Sequence, residues 1–305
     1  MKLQIQSRSG RAVLPDGIIV PDGASVDDLK RRFAELKRQY YPTRQRFTLP
    51  AKQGQRSGQP LEAGKKLSDY GLEDGSVLVF KDLGPQIGYR TVFFFEYLGP
   101  LLVYPLFYFF PQLLYPSFKP PRRYPVQELA LCYWSLHYVK RILETFFLHK
   151  FNSSTMPLFN LFKNCSYYWG FAAFVSYFVN HPLYTPPPLT QTHAALAFSL
   201  LCQLANLRCH VILSNLRPAG TKGIGLPRGF LFNIISCPNY TAEILGWVGF
   251  TIATQALPAG IFTLVGAAQM AVWAAGKHRR LKKTFDGKDG RPKYPRRWVM
   301  LPPFY

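Results

Sequence analysis

The sequence is poor in acidic residues and in cysteine. It has 16 Asp and Glu against 37 Lys and Arg, for a formal net charge of +21, and five cysteines in 305 residues. In a soluble protein such an excess of positive charge indicates a nucleic-acid or other anionic partner. The cysteines form no Cys-x-x-Cys pair, show no zinc-ligand spacing with histidine and lie in apolar segments. We therefore expect reduced, buried thiols and no metal site.

The common nucleotide-binding and hydrolase motifs are also missing. No Gly-x-Gly-x-x-Gly follows a predicted strand, and there is no Walker A, Gly-x-Ser-x-Gly or His-Glu-x-x-His motif. A Rossmann or P-loop site is therefore not available. A bound nucleotide has to be held inside a helical bundle, by cations at its phosphates and by amide, carboxylate and aromatic side chains at its base and nicotinamide.

The N-terminal residues 1–83 have the pattern of a small α/β domain. Leu3 and Ile5 alternate with polar residues, and Ala12–Val20 follows a Ser-Gly turn as the second strand of a hairpin. Ser25 then offers an N-cap to a helix with an apolar stripe. No apolar run typical of a secretory signal precedes the domain, so we expect a cytosolic N-terminus.

After residue 87 the chain consists mainly of apolar, aromatic segments of the length that crosses a bilayer, about 20 residues. We predict six spans: residues 90–115, 127–148, 165–181, 192–213, 238–257 and 259–276. The cations of the connecting segments fit this count by the positive-inside rule, except Lys119, Arg122 and Arg123, which fall on the lumenal side. Residues 84–305 then form a membrane domain with a basic cytosolic tail, and no nucleic acid is expected as partner.

The second predicted span contains several ionisable residues. His137, Lys140, Arg141 and Glu144 occur among Trp, Leu and Phe, where an ionisable group is costly unless it faces partners or water. On a helix, His137, Arg141 and Glu144 share one face. Two interpretations stay open: a structural ion pair between Arg141 and Glu144, and a functional site.

Several segments resemble one family of membrane enzymes, the very-long-chain trans-2-enoyl-CoA reductases of the steroid 5α-reductase superfamily: LHYVKRILET, HKFNSSTMPL, FKNCSYYW and LPRGFLFNIISCPNYTAEILGWVGF. The resemblance covers nearly the whole chain. It implies a polytopic α-helical membrane bundle of steroid-reductase type, preceded by a ubiquitin-like β-grasp domain. It also implies NADPH-dependent reduction of very-long-chain trans-2-enoyl-CoA, the last step of fatty-acid elongation at the endoplasmic reticulum membrane.

The same resemblance implies catalytic residues. Glu96 and Tyr138 match the pair that binds the substrate carbonyl in steroid 5α-reductases. Tyr240 matches a tyrosine that the enoyl-CoA reductases add, and Lys140 and Arg141 match their basic pair. Reduction of an enoyl thioester needs a hydrogen-bond donor for the enolate oxygen and a proton for C2. Either Tyr138 with Glu96, or Tyr240 with the basic pair, meets this need.

For the cofactor, the resemblance assigns Asn206 and Arg217 to the NADPH-binding segment, and Asn239 and Glu243 to its nicotinamide end. Further candidates are cationic or imidazole side chains near the cytosolic ends of spans: Arg208, His210, Lys277 and His278. A cation at the end of a span also serves as a topological anchor, and this alternative stays open for the arginines. Leu281 stands where relatives usually have a cofactor-contacting tyrosine.

The partners implied are the acyl-CoA substrate, the lipid bilayer and other enzymes of the elongation cycle. Three alternatives compete with this interpretation: a steroid or polyprenol reductase of the same superfamily, a membrane methyltransferase that uses S-adenosylmethionine, and a non-catalytic membrane scaffold that recruits partners. The number of polar residues inside apolar segments argues against the scaffold, because a scaffold has no need to bury them.

Overall fold

The computed structural model divides into two compact units. The N-terminal unit comprises residues 1–89 and 153–160, and the helical unit comprises residues 90–152 and 161–305. The structure describes these residues: 1–51, 53–55, 57–118, 123–151, 154–216, 225–288 and 290–303. The N-terminal unit thus extends past residue 83 and takes in a second, distant segment that the sequence did not assign to it.

The N-terminal unit is built on a four-stranded sheet and one helix. The strands are β1 Lys2–Ser7, β2 Ala12–Ile19, β3 Gln45–Thr48 and β4 Val77–Asp82, in the order β2-β1-β4-β3, with β1 and β4 parallel. Helix α1, Val26–Leu36, begins at Ser25, whose hydroxyl accepts a hydrogen bond from the backbone N–H of Asp28 at 3.2 Å. The predicted hairpin and capped helix are confirmed, and the ubiquitin-like relationship stays a prediction.

The core of this unit lies between α1 and the sheet. Leu29 and Phe33 of α1 are fully buried in one cluster with Leu3 and Ile5 of β1. A separate antiparallel pair, β5 Gln86–Gly88 with β6 Thr155–Pro157, completes the unit. This pair joins residues far apart in the chain, so local periodicity does not predict it.

The helical unit contains seven α-helices within the described residues: α2 Tyr89–Phe109, α3 Pro111–Leu114, α4 Pro125–Leu143, α5 Phe159–Val179, α6 Leu189–Asn215, α7 Pro238–Thr254 and α8 Leu257–Thr284. A π-helical turn, Glu144–Leu148, continues α4. Each predicted span contains a helix, but residues 90–115 cover both α2 and α3, and residues 127–148 run through α4 into the π-helical turn. Among the described residues, α2, α6 and α8 are long and apolar enough to cross a membrane on their own, and the count of six stays a prediction.

The core of the helical unit is aromatic. Trp134 is fully buried, stacks on Tyr104 with 4.9 Å between ring centroids, and lies 5.3 Å from Trp247. Close helix contacts depend on glycine, because a Cβ at Gly99 of α2 would lie 1.8 Å from the indole nitrogen of Trp169 on α5. Bulky rings and a glycine contact thus fix the helices that carry the polar residues.

The burial of the cysteines differs from the prediction, and the charge of Arg123 has a local structural reason. Cys132 is exposed and Cys165 is half-buried, so burial was predicted wrongly for these two cysteines. Cys132 lies on the outward face of α4 with Leu136 and Val139, an apolar face suited to lipid. Arg123, which disagreed with the positive-inside count, donates to the carbonyl of Tyr108 at 3.3 Å and lies over its ring. It therefore caps the C-terminal end of α2, a local reason for its charge. Lys119 and Arg122 lie outside the described residues.

Candidate active site

Ionisable and amide side chains from four helices meet inside the helical unit. They come from α2, α4 with its π-helical turn, α6 and α7: Tyr97, His137, Lys140, Arg141, Glu144, Asn206, His210 and Glu243. Two of these elements, α4 with its π-helical turn and α6, contribute more than one residue, and spacings of three or four positions place those residues on one face of each helix. We call this set the polar cluster.

Glu144 is the centre of charge in the polar cluster. It is 3% exposed, and its carboxylate lies 2.7 Å from Nη1 of Arg141, 3.2 Å from Nζ of Lys140 and 3.0 Å from Nδ1 of His210. The predicted pair between Arg141 and Glu144 is therefore present, but as part of a larger network. With Glu243, the polar cluster therefore buries two carboxylates together with two cations, in an interior where an unpaired charge is costly.

Asn206 joins the basic pair to α7. Its side-chain oxygen accepts a hydrogen bond from Nζ of Lys140 at 2.6 Å, and its amide nitrogen donates to Glu243 at 3.0 Å and to the backbone carbonyl of Asn239 at 2.9 Å. Glu243 also lies 3.5 Å from His137. Three residues assigned to the cofactor thus share one hydrogen-bond network with a residue assigned to catalysis.

The other terminal nitrogen of Arg141, Nη2, contacts a residue that the sequence analysis did not single out. Nη2 of Arg141 donates to the hydroxyl of Tyr97 at 2.8 Å, and the guanidinium carbon lies 5.0 Å from the centre of the Tyr97 ring. Tyr97 is 2% exposed. Its position directly after Glu96 was the only sequence signal for it. Two amides were missed as well: Asn164, which donates to Glu96, and Gln203, which contacts His137.

Glu96 and Tyr138 are both buried, but they are paired differently from the prediction. The carboxylate of Glu96 accepts a hydrogen bond from Asn164 of α5 at 3.1 Å. Tyr138 is fully buried, and its hydroxyl has no hydrogen-bond partner among the described residues. A buried hydroxyl without a partner costs roughly 1–3 kcal/mol. Such a phenol is a donor available to a bound ligand.

Tyr240 is also paired differently from the prediction. Its hydroxyl accepts a hydrogen bond from Nζ of Lys277 at 2.6 Å, which places a cation of α8, and not the predicted basic pair, beside this phenol. His278 contacts the hydroxyl of Ser236 at 2.7 Å, and the Tyr294 hydroxyl donates to the same oxygen at 2.8 Å. The basic tail thus reaches the segment that leads into α7.

The remaining cofactor candidates stand apart from the polar cluster or outside the described part. Arg208 is exposed and lies two residues from Asn206, on another face of α6. Arg217 lies outside the described residues. Whether either binds a phosphate therefore stays a prediction.

One group of side chains has the spacing of a metal site. The ligand atoms of Glu144, His149 and His210 lie within 4.8 Å of one another. Lys140 and Arg141 already contact the same carboxylate, and a divalent cation would add to two positive charges in a buried place. We therefore assign no metal to this group.

The donors and acceptors of the site suit a nicotinamide nucleotide. Amide and carboxylate groups for a carboxamide are present in Asn206, Gln203 and Glu243, and the side-chain oxygen of Gln203 is buried without a partner in the described part of the chain. Lys277 and His278 supply groups for phosphates. The residues present thus fit the cofactor that the sequence implies.

Comparison with known proteins identifies similar enzymes. A protein of Caenorhabditis elegans named probable very-long-chain enoyl-CoA reductase is 47% identical over 301 residues, 94% of each chain. A very-long-chain enoyl-CoA reductase of Dictyostelium discoideum is 52% identical over 229 residues, which cover 75% of this chain and 74% of the relative. The human trans-2,3-enoyl-CoA reductase-like protein is 37% identical over 284 residues, 88% of this chain and 75% of the relative. Residues 154–305 match the family described as 3-oxo-5-alpha-steroid 4-dehydrogenase.

Proposed function

The chain belongs to the very-long-chain enoyl-CoA reductase family, and from this premise we propose that it reduces very-long-chain trans-2-enoyl-CoA to the saturated acyl-CoA with NADPH. It is an oxidoreductase that acts on a CH–CH group and a membrane protein. In this proposal the reaction is the last step of fatty-acid elongation at the endoplasmic reticulum membrane. The protein has about six spans and cytosolic termini, and other elongation enzymes are its partners.

The proposal rests on Tyr138, a buried phenol whose hydroxyl has no partner among the described residues, beside a charged network that fits a nicotinamide nucleotide. The Tyr138 ring lies 5.0 Å from that of His137, which contacts Glu243, and the polar cluster continues through Asn206 to Lys140. Burying so many polar groups inside a membrane bundle is costly, and a catalytic role explains the cost. A scaffold has no comparable need.

NADPH, when bound, supplies the hydride that is added to C3. Asn206, Asn239 and Glu243 are proposed to orient the carboxamide of the nicotinamide, since they combine amide and carboxylate groups in one network. Arg217 is proposed to hold a phosphate, whereas Lys277 contacts Tyr240. The surplus of cations favours NADPH over NADH, because the additional 2′-phosphate needs a positive partner.

Two tyrosines are proposed to share the remaining chemistry. Hydride addition to C3 builds negative charge on the thioester oxygen, and a preorganised donor in a dry site lowers the barrier. Tyr138 suits this role because its buried hydroxyl has no partner in the part of the chain that the structure describes. Tyr240 suits proton donation to C2, since the O–H bond that breaks leaves a phenolate 2.6 Å from the ammonium of Lys277. Solvent returns the proton after product release. Lys140 and Arg141 compensate Glu144, and Lys140 holds Asn206 in place.

For Glu96 we keep the role beside the substrate carbonyl that the family resemblance implies. The contacts add no support for it, because the Glu96 carboxylate contacts Asn164 and the Tyr138 hydroxyl has no partner among the described residues. The alternative in which Glu96 shares its proton with Tyr138 needs the substrate to bring the two together. The Glu96→Gln variant separates these cases, since a shared proton is lost in the variant while a structural hydrogen bond to Asn164 is largely kept.

Equilibrium binding to detergent-purified protein tests the cofactor. We expect tight binding of NADPH, weaker binding of NADH and none of S-adenosylmethionine. If the protein binds S-adenosylmethionine and not NADPH, it is a methyltransferase. If it binds neither, a scaffold function is favoured.

Hydroxyl deletion tests the two tyrosines. Tyr138→Phe and Tyr240→Phe should retain NADPH affinity but lose turnover on the order of 10²–10³-fold, as expected when one donor to a developing oxyanion is deleted. Lys277→Met alone should also reduce turnover. In the double variant with Tyr240→Phe, it should lower turnover little further than Tyr240→Phe does alone. Tyr177→Phe, at an exposed position of α5, is the control and should stay within about tenfold of wild type. Near-normal turnover of both test variants would disprove the tyrosine mechanism.

The match of residues 154–305 to a steroid-reductase family supports a second candidate substrate, a 3-oxo-Δ4-steroid or a polyprenol enone. The same hydride chemistry applies to such a substrate. The full-length similarity to enoyl-CoA reductases favours the acyl-CoA. Direct competition between the two substrates in one reaction distinguishes them.

A further inference from the structure

Tyr97 is a buried tyrosine to which the proposed mechanism gives no role. It lies on α2, directly after Glu96, and is 2% exposed. Adjacent residues of a helix point about 100° apart, so Glu96 meets α5 through Asn164 while Tyr97 meets α4 through Arg141. Tyr97 therefore belongs to the polar cluster and Glu96 lies beside it.

The hydrogen bond with Arg141 leaves the Tyr97 proton free. A guanidinium has only donors, so the Tyr97 oxygen is the acceptor in the 2.8 Å contact. Among the described residues no acceptor is found for the phenol's own O–H. Arg141 is fixed in this position because its Nη1 binds Glu144 at 2.7 Å. A phenol whose oxygen accepts from a cation is a stronger donor through its own hydrogen.

A second free phenol lies next to it. The rings of Tyr97 and Tyr138 are 6.3 Å apart, and both contact the ring of Tyr168, at 5.7 Å and 6.4 Å. Tyr97 and Tyr138 are both almost wholly buried, so water does not compete for their protons. Two neighbouring phenols whose O–H groups meet no acceptor in the described part of the chain can together stabilise an oxyanion in a dry site, because one carbonyl oxygen has two lone pairs to accept them.

We propose that Tyr97 is a further catalytic residue, which together with Tyr138 donates a hydrogen bond to the thioester carbonyl oxygen of the acyl-CoA. This inference rests on the proposed function, because it takes an acyl thioester as substrate. Arg141 then acts on the substrate through Tyr97, by polarising that phenol. No bond is made or broken at Tyr97 in this role, and the proton for C2 comes from elsewhere.

Binding of two substrate analogues tests the contact without turnover. A long-chain acyl-CoA contains the carbonyl oxygen, whereas the corresponding S-alkyl-CoA has a CH₂ group in its place. Wild-type protein should bind the thioester more tightly than the thioether. Tyr97→Phe should reduce this preference about fivefold, as expected for the loss of one hydrogen bond, and should lower kcat on the order of 10²-fold with NADPH affinity unchanged.

Tyr104→Phe is the matched control. Tyr104 lies seven residues further along α2, on the same face, is fully buried, and its hydroxyl also has no partner among the described residues. It stacks on Trp134, outside the polar cluster. The control should keep both the thioester preference and turnover. If Tyr97 has only a structural role, Tyr97→Phe will keep the thioester preference and turnover as the control does, and that result overturns the proposal.

The outcomes separate this inference from the proposed function. If wild-type protein reduces no enoyl-CoA, the function is wrong. If wild-type protein is active while Tyr97→Phe keeps its thioester preference, only the role of Tyr97 is wrong. Should Tyr97→Phe give no folded protein, 3-fluorotyrosine at position 97 keeps the ring and is a stronger donor. It should then increase the preference for the thioester, and an unchanged preference refutes the proposal.

Discussion

Replacement of Glu144 by glutamine is expected to destabilise the helical unit strongly. The carboxylate is 3% exposed and contacts two cations and one imidazole within 3.2 Å. Glutamine has nearly the same volume, so packing is kept and the negative charge alone is lost. Lys140 and Arg141 then lose the carboxylate that both of them contact, and Glu243 alone is left as an anion of the polar cluster. Breaking a buried ion pair on one side costs about 3–5 kcal/mol.

For a unit of this size, such a loss corresponds to a fall in the unfolding midpoint of roughly 6–20 °C. Thermal unfolding in detergent, followed by tryptophan fluorescence, measures it. Glu128→Gln is the matched control, because Glu128 lies on the same helix but is exposed, and a surface substitution of this kind changes stability by less than about 0.5 kcal/mol. If the two variants unfold at the same temperature, Glu144 is not the anion that holds the cluster together.

Three further predictions concern other parts of the chain. Arg217→Ala should weaken NADPH binding more than it slows saturated turnover, because a phosphate contact changes little between ground and transition state; unchanged affinity would make Arg217 a topological anchor. Hydrogen bonds from Arg44 at 2.5 and 2.6 Å lower the pKa of Asp82, so its stabilising contribution is full above the unfolded pKa of about 4 and is lost as pH falls through the lower folded value. The protection of the sheet amides from hydrogen exchange should therefore fall less on acidification in Asp82→Asn than in wild type. An equal fall in both proteins would contradict this. Gly99→Ala should lower the unfolding midpoint, because the new Cβ would lie 1.8 Å from Trp169, and Trp169→Phe should partly restore it.

The sequence predicted features that depend on local spacing. The N-cap at Ser25 and the shared face of Arg141 and Glu144 follow from contacts between residues three positions apart, which helix geometry fixes. The grouping of Asn206 with Glu243 came from family resemblance, and the structure places them 3.0 Å apart. In each case a regular helix or a matched motif determines the contact.

Features that depend on packing between helices were not predicted. The pairing of Tyr240 with Lys277 is set by how α7 and α8 meet, and the pairing of Tyr97 with Arg141 by how α2 meets α4. Periodicity within one helix carries no information about which turn of a neighbour it faces. An aromatic residue in an apolar segment is also expected to face lipid, so the sequence did not indicate that Tyr97 contacts polar residues.

The measurement that tests the central claim most directly is reduction of a very-long-chain trans-2-enoyl-CoA by purified protein with NADPH deuterated at nicotinamide C4. Mass spectrometry of the product reports both the reaction and the hydride's destination. We expect saturated acyl-CoA in an amount equal to the NADPH consumed, with deuterium at C3 and a solvent proton at C2. Failure to form saturated acyl-CoA, or reduction of a steroid enone in its place, would contradict the proposed function.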